Sequence, residues 1–320
     1  MARRIPDGAI NDNANGFGAP DDDIIQPFQL EQSGLRGRAV RLGKVLDDIL
    51  GPHDYPEPVA HLVAETITLT TLLSSMLKYE GIFTLQTKGD GPVGMVVADM
   101  TSKGEIRGCA SFDKERVAKY GDDIDMLPFY LGKGYIAFTV DQLGKTDRYQ
   151  GIVELKGTSL VDCVRHYFDQ SEQIKTGIKM SVGLKDGKWR AGAIMLQHMP
   201  EDQKKPEMID RDDWNRSMML LDTAKDGEFL DPGLHSRELL LRLFHEEGVR
   251  VFKPLDISKG CRCDSDKVQK VLAGLPEEDI KYLMENGTIN MHCEFCSRDF
   301  KLDPEVIKGR HGKKPPKKKK

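Results

Sequence analysis

Few residues in this 320-residue chain are of the kinds that commit a protein to a membrane, a disulfide framework or nucleotide chemistry. No run of about 18 apolar residues occurs, and Met1-Ala2-Arg3-Arg4-Ile5-Pro6 leads into Asp, Asn and Gly rather than an apolar signal core. A cytoplasmic chain without a membrane partner is expected. Cysteine is scarce, six in all, which excludes a disulfide scaffold in a reducing compartment. The glycine-rich, lysine-ended loop that cradles nucleotide phosphates is also missing, so no ATP-driven cycle is expected. Positive charge is concentrated outside the body: six of the last eight residues are lysines, and without them the net charge falls from −4 to −10. An acidic body argues against a nucleic-acid partner, and residues 311–320 read as a solvated, disordered lysine-rich tail.

What is present divides the chain into five stretches. Residues 1–24 are rich in Asn, Asp, Gly and Pro and read as a disordered arm, with folded structure expected from near Phe28. Residues 25–200 form the main domain. Between 59 and 77 the sequence is apolar on every face and follows Pro56-Glu57-Pro58, the signature of a buried core helix. Strand-like segments surround it at 82–86, 93–98, 106–110, 135–140, 149–155, 178–182 and 189–196. Turns such as Lys185-Asp186-Gly187-Lys188 favour antiparallel hairpins. Residues 159–170 read as a helix with Leu160, Cys163, Val164 and Tyr167 on one side. The fold class expected is α+β, with sheets packed on a buried helix.

Beyond residue 200 the texture becomes helical and charged, and residues 201–255 read as a linker. Trp214, Met218, Met219 and Leu221 lie on one short apolar helix, Leu240 and Phe244 on a second that ends near Gly248. Both carry more apolar surface than an exposed linker should, so they must lie against the main domain or a partner. Adaptable methionines such as Met218 and Met219 suit a surface that accepts many sequences, and they are equally ordinary core filler.

Residues 256–310 carry Cys261-Arg262-Cys263, then 29 residues, then Cys293-Glu294-Phe295-Cys296. Two close thiolate pairs brought together supply the tetrahedral sulfur set that zinc prefers. Ser265 caps one expected helix, Pro276 opens another, and 288–292 and 298–302 read as strands flanking the second pair. A segment this short has a marginal core, so one zinc ion per chain would carry much of its folding free energy. Disulfide formation within each pair requires little chain movement, so the same atoms serve a permanent structural site or a redox sensor; the local sequence leaves both open. Cys109 and Cys163 are isolated in apolar contexts and read as small buried hydrophobes.

Several separated motifs are shared with one family. They include residues 35–42 (LRGRAVRL), Gly89-Asp90-Gly91-Pro92, Tyr149-Gln150-Gly151-Ile152-Val153, residues 167–173 (YFDQSEQ), Ile194-Met195-Leu196-Gln197, Leu243-Phe244-His245-Glu246-Glu247 and the cysteine set. From about Phe28 to Ile307 the chain resembles the redox-regulated bacterial chaperones named the 33-kDa heat-shock protein family. The resemblance implies a β/α/β layered N-terminal domain around a buried helix, a helical redox-responsive linker and a C-terminal zinc-binding switch domain. It implies a non-enzymatic, ATP-independent holdase, inactive when reduced and zinc-bound. Oxidation would pair Cys261 with Cys263 and Cys293 with Cys296, expel zinc, and expose surfaces that hold unfolding proteins, commonly as a homodimer, which makes Trp214, Met218, Met219, Leu221, Leu240 and Phe244 the client-binding candidates. The alternatives are a thiol-disulfide oxidoreductase using Cys293 and Cys296, and a zinc-ribbon nucleic-acid binder using the lysine tail.

Overall fold

A computed structural model describes residues 21–77, 79–119, 127–143, 148–172, 174–198, 211–285 and 287–303. Most of the expected arm (1–20), the start of the expected linker (201–210) and the lysine tail lie outside the described residues. The chain divides into two units, the first ending at Lys259 and the second beginning at Gly260.

In the first unit the elements follow in the order β1 (Ile24–Leu30), β2 (Arg36–Leu42), α1 (Lys44–Leu50), α2 (Glu57–Ser74), β3 (Gly81–Gly89), β4 (Val93–Thr101) and β5 (Glu105–Phe112). Next come α3 (Lys114–Ala118), α4 (Leu127–Leu131), β6 (Gly134–Gln142), β7 (Arg148–Glu154), α5 (Leu160–Tyr167), β8 (Thr176–Lys185) and β9 (Lys188–Gln197). The unit closes with α6 (Arg211–Asp222), α7 (Asp226–Leu230), α8 (Ser236–Phe244), β10 (Val249–Val251), β11 (Leu255–Asp256) and β12 (Ser258–Lys259).

Helix α2 is the centre of the unit. Proline in its first turn fixes the backbone where no intrahelical N–H bond is lost. Every residue from Pro58 to Ser74 is buried, so its threonines need internal partners. Thr66, Thr68, Thr70 and Thr71 each donate to the carbonyl four residues back, at 2.6–2.8 Å. One sheet, in the order β10-β1-β2-β9-β8 with β11 also on β1, places Ile25, Val40, Ala193 and Met195 in the same core as α2. A second, β12-β5-β4-β3-β6-β7, contributes Phe83, Leu85, Val96 and Ile136 to that core. Sheet, helix and sheet form the expected β/α/β layers.

The hairpin β8–β9 turns at Asp186 and Gly187, both at positive φ (53° and 73°). That is the left-handed pair a two-residue turn of this hand requires. Folded structure begins earlier than the expected start near Phe28, because β1 starts at Ile24. Asp21, Asp22 and Asp23 are held as well: Asp21 lies 3.0 Å from His235, Asp22 pairs with Arg41 and Arg190, and Asp23 accepts from Gly43 N at 2.8 Å. A run of aspartates reads as solvated charge until the fold supplies fixed donors.

In the second unit, α9 (Ser265–Leu272) and α10 (Glu277–Tyr282) precede a small antiparallel sheet of β13 (Met284–Glu285), β14 (Thr288–His292) and β15 (Asp299–Leu302). Its buried apolar cluster consists of Leu272, Ile280, Ile289 and Leu302, with partly buried Val268, Leu275, Met291 and Phe300 around it. The cap of α9 is Asp264 rather than Ser265, its carboxylate accepting from Lys267 N at 2.7 Å.

Candidate metal centre and linker surface

Local geometry brings the four C-terminal cysteines to one point. Between β14 and β15 the chain makes a knuckle in which Cys296 N and Ser297 N both donate to the Cys293 carbonyl, at 3.2 and 2.8 Å. Cys293 N in turn donates to Arg298 O at 3.0 Å, and Ser297 takes a φ of 53° to close the turn. Cys261 and Cys263 lie just before the Asp264 cap. Cys261 Sγ lies 3.3 Å from Cys263 Sγ and 3.7 Å from Cys293 Sγ, and Cys263 Sγ lies 3.4 Å from Cys296 Sγ.

All four sulfurs fall within 4.8 Å of one another. Ligands at about 2.3 Å from a tetrahedral zinc stand roughly 3.8 Å apart, whereas bonded sulfurs stand about 2.05 Å apart. The set therefore fits a metal ion, and none of the six cysteines is in a disulfide. Burial alone raises the Cys261 thiol, but hydrogen bonds from the backbone and the neighbouring sulfurs outweigh it and bring its pKa down to about 6. Burial raises Cys263 and Cys293, and both rise further as hydrogen-bond partners within the cluster. His292, next to a ligand position, is 2.8 Å from Asp299 across the β14–β15 register and stands outside the sulfur set. Cys109 and Cys163 are both buried in the first unit and are not part of the four-sulfur set; Cys163 donates to Lys156 O at 3.1 Å.

The linker-type helices α6–α8 cover the face of the first sheet opposite α2. There Phe28, Leu30, Leu35, Ala39, Ile194 and Leu196 meet Leu221, Phe229, Leu239, Leu240, Leu243 and Phe244 in one core. Phe28 and Phe244 stack with centroids 6.1 Å apart. Close approach depends on Gly192: a Cβ there would lie 2.9 Å from both the side chain and the carbonyl of Phe229. Of the client candidates, Leu221, Leu240 and Phe244 are fully buried, Trp214 and Met218 are partly buried against this core, and Met219 is exposed at 70%. Charge also ties the cover down, since Arg216 lies 2.5 Å from the buried carboxylate of Glu247. Neither this pair nor Asp21–His235 was signalled in the sequence, because ordinary charged residues carry no mark of a distant partner.

A layered two-sheet unit followed by a small four-thiol module defines an α+β protein with an appended, metal-competent cysteine centre. The family model described as Hsp33 protein matches residues 23–303. The 33 kDa chaperonin of Caulobacter vibrioides (strain NA1000 / CB15N) is 40% identical over 297 residues, spanning 89% of this chain and 98% of its own. That of Escherichia coli (strain SMS-3-5 / SECEC) is 35% identical over 282 residues, covering 88% and 92%. The crystal structure of the Thermotoga maritima 33 kDa chaperonin superposes with a TM-score of 0.76 at 19% identity, over 91% of this chain and 98% of that one. The chain belongs to the Hsp33 family, the redox-regulated chaperones, which are not enzymes. Among the described residues no helix is long and apolar enough to cross a membrane.

Proposed function

We propose that this chain is an ATP-independent holdase, silent while its clustered thiols are reduced and active once they are oxidised. The observation that carries the reading is the meeting of four sulfurs within 4.8 Å in a unit whose apolar core, among the described residues, is a cluster of four buried side chains. Cys261, Cys263, Cys293 and Cys296, as thiolates, would hold one zinc ion per reduced chain. When bound, zinc supplies a cross-link between the two halves of the module, worth on the order of 10–16 kcal/mol of folding free energy in small zinc domains.

Two equivalents of peroxide would oxidise the four thiols to two disulfides and be reduced to water, pairing Cys261 with Cys263 and Cys293 with Cys296. With every thiolate consumed, the donor set is gone and the residual core is too small to hold the module folded. Linker helices that depend on the folded module would then loosen, presenting apolar surface to unfolding proteins. Homodimerisation of the oxidised form, a cytoplasmic location and the absence of a nucleic-acid partner belong to the same reading.

The test is made on one sample of reduced, zinc-loaded protein treated with peroxide. Zinc release, loss of four thiols and gain of aggregation suppression should rise together. A Cys109→Ala/Cys163→Ala variant should respond in the same way. Full thiol loss with zinc retained, or equal suppression by the reduced form, would rule the reading out.

A further inference from the structure

Two of the shared motifs, residues 149–153 and 167–173, have no part in the thiol centre, yet they meet at one cavity of the first unit. Its volume is about 460 Å³, within the range of ligand pockets, and its walls include Leu73, Met76, Phe83, Phe138 and Val140. It reaches solvent past Leu77 and Tyr149, exposed at 44% and 54%.

One carboxylate, on the exposed Glu172, stands at the rim of this apolar setting. A π-helical turn, Phe168–Glu172, follows α5 and carries Glu172 to the cavity wall. Tyr149 Oη and Tyr167 Oη lie 2.7 and 2.9 Å from Glu172 Oε1 and 2.7 Å from one another. Tyr167 is itself fixed, packed on Phe138 with centroids 4.6 Å apart and lying over Gly151, where a Cβ would come within 2.6 Å of it. Glu172 Oε2 has no hydrogen-bond partner among the described residues.

We infer that this cavity is a client pocket, which takes a large apolar side chain of an unfolding segment whose neighbouring lysine or arginine pairs with Glu172. The inference rests on the holdase reading and specifies its substrate. An apolar cavity alone would accept any hydrophobe; an oriented carboxylate beside two tyrosine rings favours a cation and disfavours an anion. An extended peptide suits the mouth because Tyr149 lies on β7, the last strand of its sheet, whose outer edge pairs with no other strand among the described residues. That edge offers main-chain groups for strand addition. Among the described residues, none lining the pocket belongs to α6–α8 or the four-thiol module, so a short peptide should bind in both thiol states; holding a whole unfolding chain in solution still needs the surface that oxidation exposes.

The experiment titrates full-length reduced and peroxide-oxidised protein with a labelled Gly/Ser-based peptide bearing a central Phe flanked by lysines. Matched peptides carry Phe→Ala or Lys→Glu. The parent peptide should bind the wild type about five-fold or more tighter than either, in both thiol states, the discrimination expected of a partly exposed ion pair or a partly buried ring. Glu172→Gln should abolish the preference for lysine over glutamate while leaving the Phe preference. Leu77→Trp at the mouth should weaken the parent peptide with the circular dichroism unchanged. Equal binding of the lysine and glutamate peptides by the wild type, or an undiminished preference in Glu172→Gln, overturns the pocket. Aggregation suppression by the oxidised wild type is run alongside. If it holds while the peptides ignore the pocket, only the pocket is lost; if it fails, the holdase reading falls first.

Discussion

Glu65 lies in the middle of the buried helix α2, with Oε2 accepting no hydrogen bond in its site. Burial drives its pKa from 4.5 up to about 8, so the fold holds it protonated at neutral pH. The sign follows from linkage: below 4.5 the carboxyl is neutral in both states and costs nothing. As pH rises from 4.5 toward 8, only the unfolded chain gains by ionising, and stability is lost. Between pH 4.5 and 7.5 the loss is on the order of 4 kcal/mol. Urea denaturation of Glu65→Gln should therefore show a flatter pH profile and a more stable protein at pH 7.5. Parallel profiles for the two proteins would contradict the assignment. A helix apolar on every face leaves no solvated position for Glu65, so its burial followed from the reading of α2, but its protonation state depends on which partners the fold supplies. The cysteines were legible for the opposite reason, because ligand spacing is itself a chemical statement.

At the scale of elements, the cover of α6–α8 on the first sheet is the part most open to test. Leu240 and Phe244 are fully buried there, and truncating each to alanine should cost about 2–5 kcal/mol of docking contacts. The expected result is aggregation suppression by the reduced variant with zinc still bound, and faster hydrogen exchange in residues 211–247 than in α2. Unchanged exchange in those helices would show that other contacts hold the cover.

The same elements show what periodicity can and cannot convey. Strand β3 alternates buried and half-buried positions along most of its length, and it was readable as a half-exposed strand. Strand β9 is buried at its last eight positions because α2 lies on one face and the linker helices on the other. No period of two survives such double burial. The segment reads as a strand at 189–196 nonetheless, from its apolar run, whereas β1 and β2, whose apolar residues are interrupted by Gln26, Pro27, Arg36, Arg38 and Arg41, were missed. Nor could the pattern separate Leu221, enclosed, from Met219, exposed, two residues away on α6.

For the whole molecule, the division at Lys259 and Gly260 predicts two separable stabilities. The first unit has two sheets and two buried cores; the second has, among the described residues, a cluster of four buried apolar residues and a cysteine centre. Zinc chelation with thiol oxidation should melt residues 260–303 while α2 and its sheets keep their hydrogen-exchange protection. A single cooperative loss of both units would refute this.

Strand β1 pairs along one edge with β2 and along the other with β10 and β11, Phe28 lying opposite Val251. During synthesis, therefore, β1 leaves the ribosome well before β10 and β11 and waits for some of the last residues of its unit. At about 5–20 residues per second, the roughly 220 intervening residues take on the order of 10 to 45 s. Throughout that interval Phe28, Leu30 and Leu35 have neither their closing strand nor their helical cover. Until β10 and β11 arrive, β1 thus carries the kind of exposed apolar surface that chaperones guard against.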